Sequence, residues 1–469
     1  MATSGAPGLV GLDRATGPVP RSAGAAQWQR VPPAGVEPPT PLRDAAAVVA
    51  AASFFLLPPP ILWLLLLLPL LVLVAAAGGC VAWLELRPKW LIRPLDQVGY
   101  LTEPGWTRAQ SAARMRQNRR TGQVLPSYPN GWFRLLGSAE LARGELRNLA
   151  ALGEQFAVFR DLDGKVYVLD AYCPHLGANL AIGGRVVGNC IECPFHGWMF
   201  SGKDGSCVKI PYAKKVPAFA STKVWPSCEV NNMIMVWYHC DGTSPAWQVA
   251  EQEEVSSPNW AFRAATEHFV SAHIEEIPEN AADVAHLSFL HNPSVLSGSD
   301  LRFTDNHRWA FFKHTWEAEW QPEPEPNGHC SVMLLTHHVV LFGKPIPFLD
   351  LHVTARQIGP GLVTLALRHA FLGKGLIVQT VIPLEPLLQH VVHQIYYPRN
   401  IPSFVAKLIL WAEGVQFERD VMIWNNKKFL SKPLLVKEDA AILRHRRWFS
   451  QFYSQNSWKL NAQKEQLDW

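Results

Sequence analysis

From Ala45 to Leu84 the sequence has no charged residue, although 17% of its 469 residues are charged. No polar face recurs in that stretch at the helical period, which argues against a surface or core helix. Its centre, Ile61 to Val74, is apolar throughout. A helix needs about 20 apolar residues to span a bilayer, so the run predicts a membrane anchor over residues 45–86. Pro58, Pro59 and Pro60 predict a kinked or re-entrant start. A signal peptide is the alternative, because Ala75-Ala76-Ala77 resembles a cleavage site, but the run begins late for one. Arg87, Lys89 and Arg93 follow it, while Arg30 and Arg43 precede it, offset by Glu37 and Asp44. That bias places the C-terminal bulk of a single-pass protein in the cytosol.

Other scarcities exclude more. The eight cysteines are scattered, unlike the framework of a small secreted scaffold, and suit a reducing compartment. A net charge of +4 is too mild to imply a nucleic-acid partner. The sequence has no G-x-G-x-x-G fingerprint, so electrons from NAD(P)H would have to come through a separate reductase. There is no internal repeat.

What is present is a strand-rich chain with nineteen tryptophans, which suits large apolar cavities or much aromatic packing. Residues 1–44 read as a disordered tail, and residues 87–129 as a polar, basic lead-in. Phe156-Ala157-Val158-Phe159 and Val166-Tyr167-Val168-Leu169 flank Asp161 to Lys165, a β-hairpin signal with Asp163-Gly164 at the turn. Met233 to Tyr238, Ser331 to Leu341, Leu349 to Arg356 and Leu362 to Phe371 read as strands. Pro278 to Leu290 and Val415 to Lys428 read as helices. The fold class is α+β, with one antiparallel domain over 130–243 and a second, of antiparallel sheet and helices, over 244–469.

Two constellations carry chemistry. The first is Cys173-Pro174-His175-Leu176-Gly177 followed by Cys193-Pro194-Phe195-His196-Gly197-Trp198. Two thiolates and two imidazoles in this C-x-H and C-x-x-H pattern can hold a [2Fe-2S] cluster, the histidines on one iron and the cysteines on the other. Zinc is the rival, since Cys190-Ile191-Glu192-Cys193 is a C-x-x-C. Cys190 would then displace a histidine from an otherwise complete pattern.

The second is Asn280-Ala281-Ala282-Asp283-Val284-Ala285-His286, followed by His291. Two histidines and a carboxylate make the facial triad of non-haem Fe(II) oxygenases, which leaves positions open for O2. Asn280, Asp283 and His286 drift along one stripe of an ideal helix, whereas His286 and His291 stand roughly 140° apart on it. The helix must therefore end or bulge between the two histidines, and Asn292-Pro293 predicts an end.

The flanks of the first motif resemble the Rieske domains of ring- and steroid-modifying oxygenases. Respiratory Rieske proteins carry a disulfide where this chain has Ala178 and Phe195, so the resemblance is to the oxygenase branch. From about residue 90 onward the chain resembles the Rieske non-haem iron oxygenases, and within them the Neverland-type cholesterol 7-desaturases. The shared stretches are His286-Leu287-Ser288-Phe289-Leu290-His291 and Phe417-Glu418-Arg419-Asp420.

The resemblance implies a Rieske domain followed by a helix-grip-like catalytic domain. It implies a sterol substrate with O2, a cluster on Cys173, His175, Cys193 and His196, and an iron on His286 and His291. Asp420 supplies the carboxylate, with Glu418 as its competitor, and Asn280 is a distant or water-mediated fourth contact. Asp283 couples the cluster of one subunit to the iron of the next, which requires a closed ring, expected as a homotrimer at the endoplasmic reticulum. Two alternatives are a Rieske hydroxylase or demethylase on another steroid, lipid or pigment, and a membrane-bound electron carrier using the cluster alone.

Overall fold

The computed structural model describes residues 88–102, 104–117 and 125–460, with a few further helical positions between 68 and 80. It forms two compact units, Met1–Ala77 and Gly78–Trp469. In the first, Leu68, Leu71, Val72 and Leu73 are helical with exposed side chains. The expected tail and most of the expected anchor lie outside the described residues. Among the described residues no helix is long and apolar enough to cross a membrane.

The second unit opens with β1 (Lys89–Arg93). Ten strands follow: β2 (Gly131–Gly137), β3 (Leu146–Ala151), β4 (Glu154–Arg160), β5 (Val166–Asp170), β6 (Arg185–Val187), β7 (Cys190–Glu192), β8 (Met199–Ser201), β9 (Cys207–Lys209), β10 (Ser227–Val230) and β11 (Met233–Tyr238). They make three small antiparallel sheets, β10-β11-β2, β3-β4-β5 and β6-β7-β8-β9. The expected hairpin is β4–β5. Its turn closes through Asp161 Oδ1, which accepts from the Lys165 N–H at 2.8 Å, and Gly164 adopts φ +99°.

The remaining strands are β12 (Trp260–Val270), β13 (Phe312–Pro322), β14 (Cys330–Leu341), β15 (Lys344–Pro345), β16 (Leu351–Ile358), β17 (Leu362–His369), β18 (Gly373–Glu385) and β19 (Leu388–Pro398). They join β1 in a nine-stranded sheet of order β1-β12-β19-β18-β17-β16-β14-β13, with β15 on β14. Alternation decides its faces. In β16 Val353 and Ala355 are buried while His352 and Thr354 are exposed.

Besides the helices Arg108–Gln117 and Glu253–Ser256, the unit has α1 (Glu276–Glu279), α2 (Val284–Leu290), α3 (Ser403–Asn426) and α4 (Ala440–Phe449). The long α3 packs on β12 and β19.

Three expectations need correction. The single helix over Pro278 to Leu290 is two short ones. Asp283 takes the N-cap of α2, its carboxylate accepting from the His286 N–H at 3.4 Å, so the chain restarts there instead of continuing. Asn280, Asp283 and His286 therefore do not share a helical stripe. The second correction concerns residues 87–129, which do more than lead in. β1 runs parallel to β12 as an edge strand, with Trp90 packed on Phe262 at 5.9 Å. Helix α3 also starts earlier than Val415, directly after Pro402.

Candidate metal centres and cavity

The two cysteine-histidine loops are built alike. Gly177 N–H donates to Cys173 O at 2.9 Å, and Gly197 N–H to Cys193 O at 3.1 Å. Both glycines have positive φ, +74° and +70°, a conformation that a β-carbon disfavours. Cys173 and Cys193 are buried, while His175 and His196 are half-buried with ring centroids 4.8 Å apart. Trp198 stacks on His175 at 4.7 Å and 8°.

These four residues fit an iron–sulfur group on two counts. Burial pushes the Cys173 thiol up to about 11, and the adjacent Cys193 adds to the shift. Such a thiol becomes a thiolate only beside a cationic group. His196 Nδ1 is buried without a hydrogen-bond partner, as a ligand nitrogen awaiting its metal would be. Cys190 is instead part of β7, with its thiol 3.4 Å from Asn189 Oδ1.

The second centre forms where α2 ends. His291 is the C-cap of α2, as Asn292-Pro293 predicts, and that turn swings its ring to 5.1 Å from His286. Asp420 comes from α3. Its Oδ1 lies 3.3 Å from His291 Nε2 and 3.9 Å from His286 Nε2, and one ligand atom from each residue falls within 4.8 Å of the others. Ligands about 2.1 Å from one ion and at right angles sit roughly 3 Å apart, so the trio fits a single metal ion.

Both tautomers are set from behind. His286 Nδ1 meets the main-chain oxygen of Asp283, and His291 Nδ1 meets Gln416 Oε1 at 3.0 Å. Each ring therefore donates from Nδ1 and turns its Nε2 lone pair inward. Burial opposes charge on His291, but the Asp420 carboxylate outweighs it and raises the pKa. Asn280 Nδ2 donates to Asp420 Oδ1 at 3.0 Å, so Asn280 holds the carboxylate. One oxygen of the Asp283 carboxylate caps α2.

Glu418 faces elsewhere. Two residues before Asp420 is about 200° around a helix. Its carboxylate meets Arg93 Nε at 2.9 Å, Ser299 Oγ at 2.9 Å and His268 Nε2 at 3.4 Å.

Sequence reasoning missed Gln416, Arg93 and Arg419. Arg419 is fully buried and donates to the main-chain oxygens of Leu290, Pro293, Ser294 and Gly298, tying down the loop that follows His291. An arginine beside an aspartate on a helix carries no sequence signal of burial.

A cavity of about 240 Å³ opens on His286, His291 and Asp420. Trp316, Trp320, Leu287 and Phe417 supply apolar walls. Met333 and Leu335 on β14, and Val363 and Leu365 on β17, line it, while Leu334 is exposed on the other side of β14.

A Rieske [2Fe-2S] domain model matches residues 131–220, and a 3-ketosteroid 9alpha-hydroxylase C-terminal domain model matches residues 236–453. A Xenopus laevis cholesterol 7-desaturase is 61% identical over 82% of this chain and 85% of that protein. One from Hemicentrotus pulcherrimus is 46% identical over 82% of each. Among solved structures, dicamba monooxygenase bound to 3,6 dichlorosalicylic acid aligns with a TM-score of 0.51 at 17% identity. That alignment covers 71% of this chain and 98% of that one, a likeness of fold. The paired Cys-His loops, the two-histidine and carboxylate group and these likenesses agree: the chain belongs to the cholesterol 7-desaturase family of Rieske oxygenases.

Proposed function

We propose that this chain desaturates cholesterol at C7–C8 to 7-dehydrocholesterol, using O2 and electrons relayed from NAD(P)H by a separate reductase. One O2, two electrons and two protons take up the two substrate hydrogens and leave as two waters. The observation that carries the reading is the apolar cavity opening on His286, His291 and Asp420, in a chain 61% identical to a cholesterol 7-desaturase.

Cys173, His175, Cys193 and His196 are the cluster ligands in this reading, and His286, His291 and Asp420 hold the iron. When bound, these groups supply single electrons and a site for O2 activation. The chain's own residues do the rest. Asp283 O and Gln416 fix the two imidazoles, Asn280 holds Asp420, and the aromatic walls exclude water and orient the rings.

Residues 130–243 form the Rieske domain and 244–469 the catalytic one. The long α3 against an antiparallel sheet suits a helix-grip-like arrangement. Asp283 links the cluster of one subunit to the iron of its neighbour in a homotrimer. Residues 45–86 anchor the protein in the endoplasmic reticulum membrane, which suits a substrate dissolved in lipid, with the catalytic domain in the cytosol.

The test is to incubate the purified protein with reductase, NADPH and labelled cholesterol. 7-Dehydrocholesterol is the expected product. A hydroxylated steroid instead would favour the second reading, a steroid hydroxylase, which the 3-ketosteroid hydroxylase domain match supports.

A further inference from the structure

The polar residues of the cavity are not all at the iron end. Ser331, Gln357, Val363, Gln379 and His393 form one row across β14, β16, β17, β18 and β19, each directly opposite the next. Directly opposed residues share a face of the sheet. The first four of the row line the cavity. Ser331 Oγ accepts from Trp320 Nε1 at 3.3 Å, and Gln357 Nε2 donates to Gly359 O at 3.1 Å, so both are engaged within the protein.

Glu413 reaches the far end of this row from α3. It stands seven residues before Asp420, on the same helix face and roughly 10 Å along the axis. Its side chain lines the cavity, its Oε1 is 3.5 Å from His393 Nε2, and its Oε2 has no hydrogen-bond partner among the described residues. Burial pushes the Glu413 carboxyl up to about 8, with repulsion from Asp420 and Glu418 adding to it. Burial also takes His393 down to about 3. This setting favours the protonated acid, backed by a neutral imidazole. A protonated carboxyl both donates and accepts, as a hydroxyl does. Left alone against an apolar wall, its unpaired oxygen is a destabilising feature that a bound hydroxyl would remove.

We propose that Glu413, backed by His393 and flanked by Gln379, is the subsite for the hydroxyl of an otherwise apolar fused-ring substrate. The hydroxyl is held at one end of the cavity, so the carbons to be oxidised lie toward His286, His291 and Asp420. This inference rests on the sterol reading above and deepens it.

The test is a binding titration of the full chain carrying its cluster, oxidised and without reductant. The two probes are cholesterol and cholest-5-ene, the same skeleton without the hydroxyl. Quenching of tryptophan fluorescence reports occupancy, since Trp316, Trp320 and Trp424 line the cavity. The native protein should prefer cholesterol by about tenfold, the usual worth of one hydrogen bond. In Glu413→Leu the ratio should fall to about one, through loss of cholesterol binding and not of cholest-5-ene binding. Gln379→Leu, on the sheet and remote from α3 in sequence, should reduce the ratio by a smaller factor.

A native ratio in Glu413→Leu overturns the subsite, and so does equal weakening of both probes. If Glu413→Leu does not fold, Gln379→Leu decides, and an unchanged ratio there overturns it. A native protein that binds neither probe removes the sterol reading and the subsite together. A native protein that prefers cholesterol, with the preference surviving in the variants, removes the subsite alone.

Discussion

Replacing Arg419 by leucine should empty the mononuclear site without touching the cluster. Arg419 is fully buried, and its guanidinium satisfies the main-chain oxygens of Leu290, Pro293, Ser294 and Gly298, together with Gln416 Oε1. Each buried acceptor left without a donor costs about 1–3 kcal/mol. Five such acceptors would give a larger sum, but the loop relaxes, water enters, and the variant no longer desolvates a charge. Burial already pulls Arg419 down to about 10, a measure of that desolvation. The net loss expected for breaking a buried charge network is therefore about 3–5 kcal/mol, which a protein stable by roughly 5–15 kcal/mol can survive. The released loop carries His291, and Gln416 loses its clamp as well. Loss of such supporting contacts typically weakens metal affinity by about 10–100-fold. The assay is iron per chain after competition with a graded series of chelators, read beside the visible absorption of the cluster. Two irons per chain with an unchanged cluster spectrum is the expected result, against three in the native protein. Arg419→Leu protein that keeps its third iron against the same chelators would refute the reasoning. So would denaturant unfolding that shows no loss of stability.

Three further outcomes follow from the geometry. Asp420→Ala should lose the third iron, whereas Glu418→Ala should keep it, since Glu418 meets Arg93, Ser299 and His268 instead of the two metal-site histidines; iron analysis separates them. Cys190→Ala should retain the cluster absorption and His196→Ala should lose it, and the reverse pattern would transfer the ligand role to Cys190. Glu275 has a carboxyl that burial pushes up to about 8, with no hydrogen-bond partner among the described residues. Its folded pKa lies above its unfolded value, so the native state holds the extra proton and stability falls as pH rises from about 4.5 to 8, by up to about 1.4 kcal/mol per unit. Glu275→Gln should flatten that slope in denaturant unfolding at pH 5, 6.5 and 8, and an unchanged slope would assign the proton elsewhere.

Much of this molecule was legible where the deciding interactions are local. The Cys-Pro-His and Cys-Pro-Phe-His loops, the Asp161–Lys165 hairpin and the end of α2 before Asn292-Pro293 each depend on residues a few positions apart. The period of two explains why Met333 and Leu335, and Val363 and Leu365, face the cavity together, but only the packed sheet shows which face that is. The break before Asp283 was missed because capping competed with a good helical pattern and won. Whether Asp420 or Glu418 faces the histidines depends on how α3 is rotated against β12 and β19, which two acids so close in sequence cannot reveal. The same holds for Arg93, brought to Glu418 by an edge strand more than three hundred residues away in sequence. Glu413 beside His393 and Gln379 depends on the register of neighbouring strands and on the docking of one helix. By itself the sequence determined which ligand chemistries the chain possesses and where its local turns fall. Only the tertiary structure decided which side chains meet, because sheet register and helix rotation are fixed by the burial of whole faces and not by any single motif.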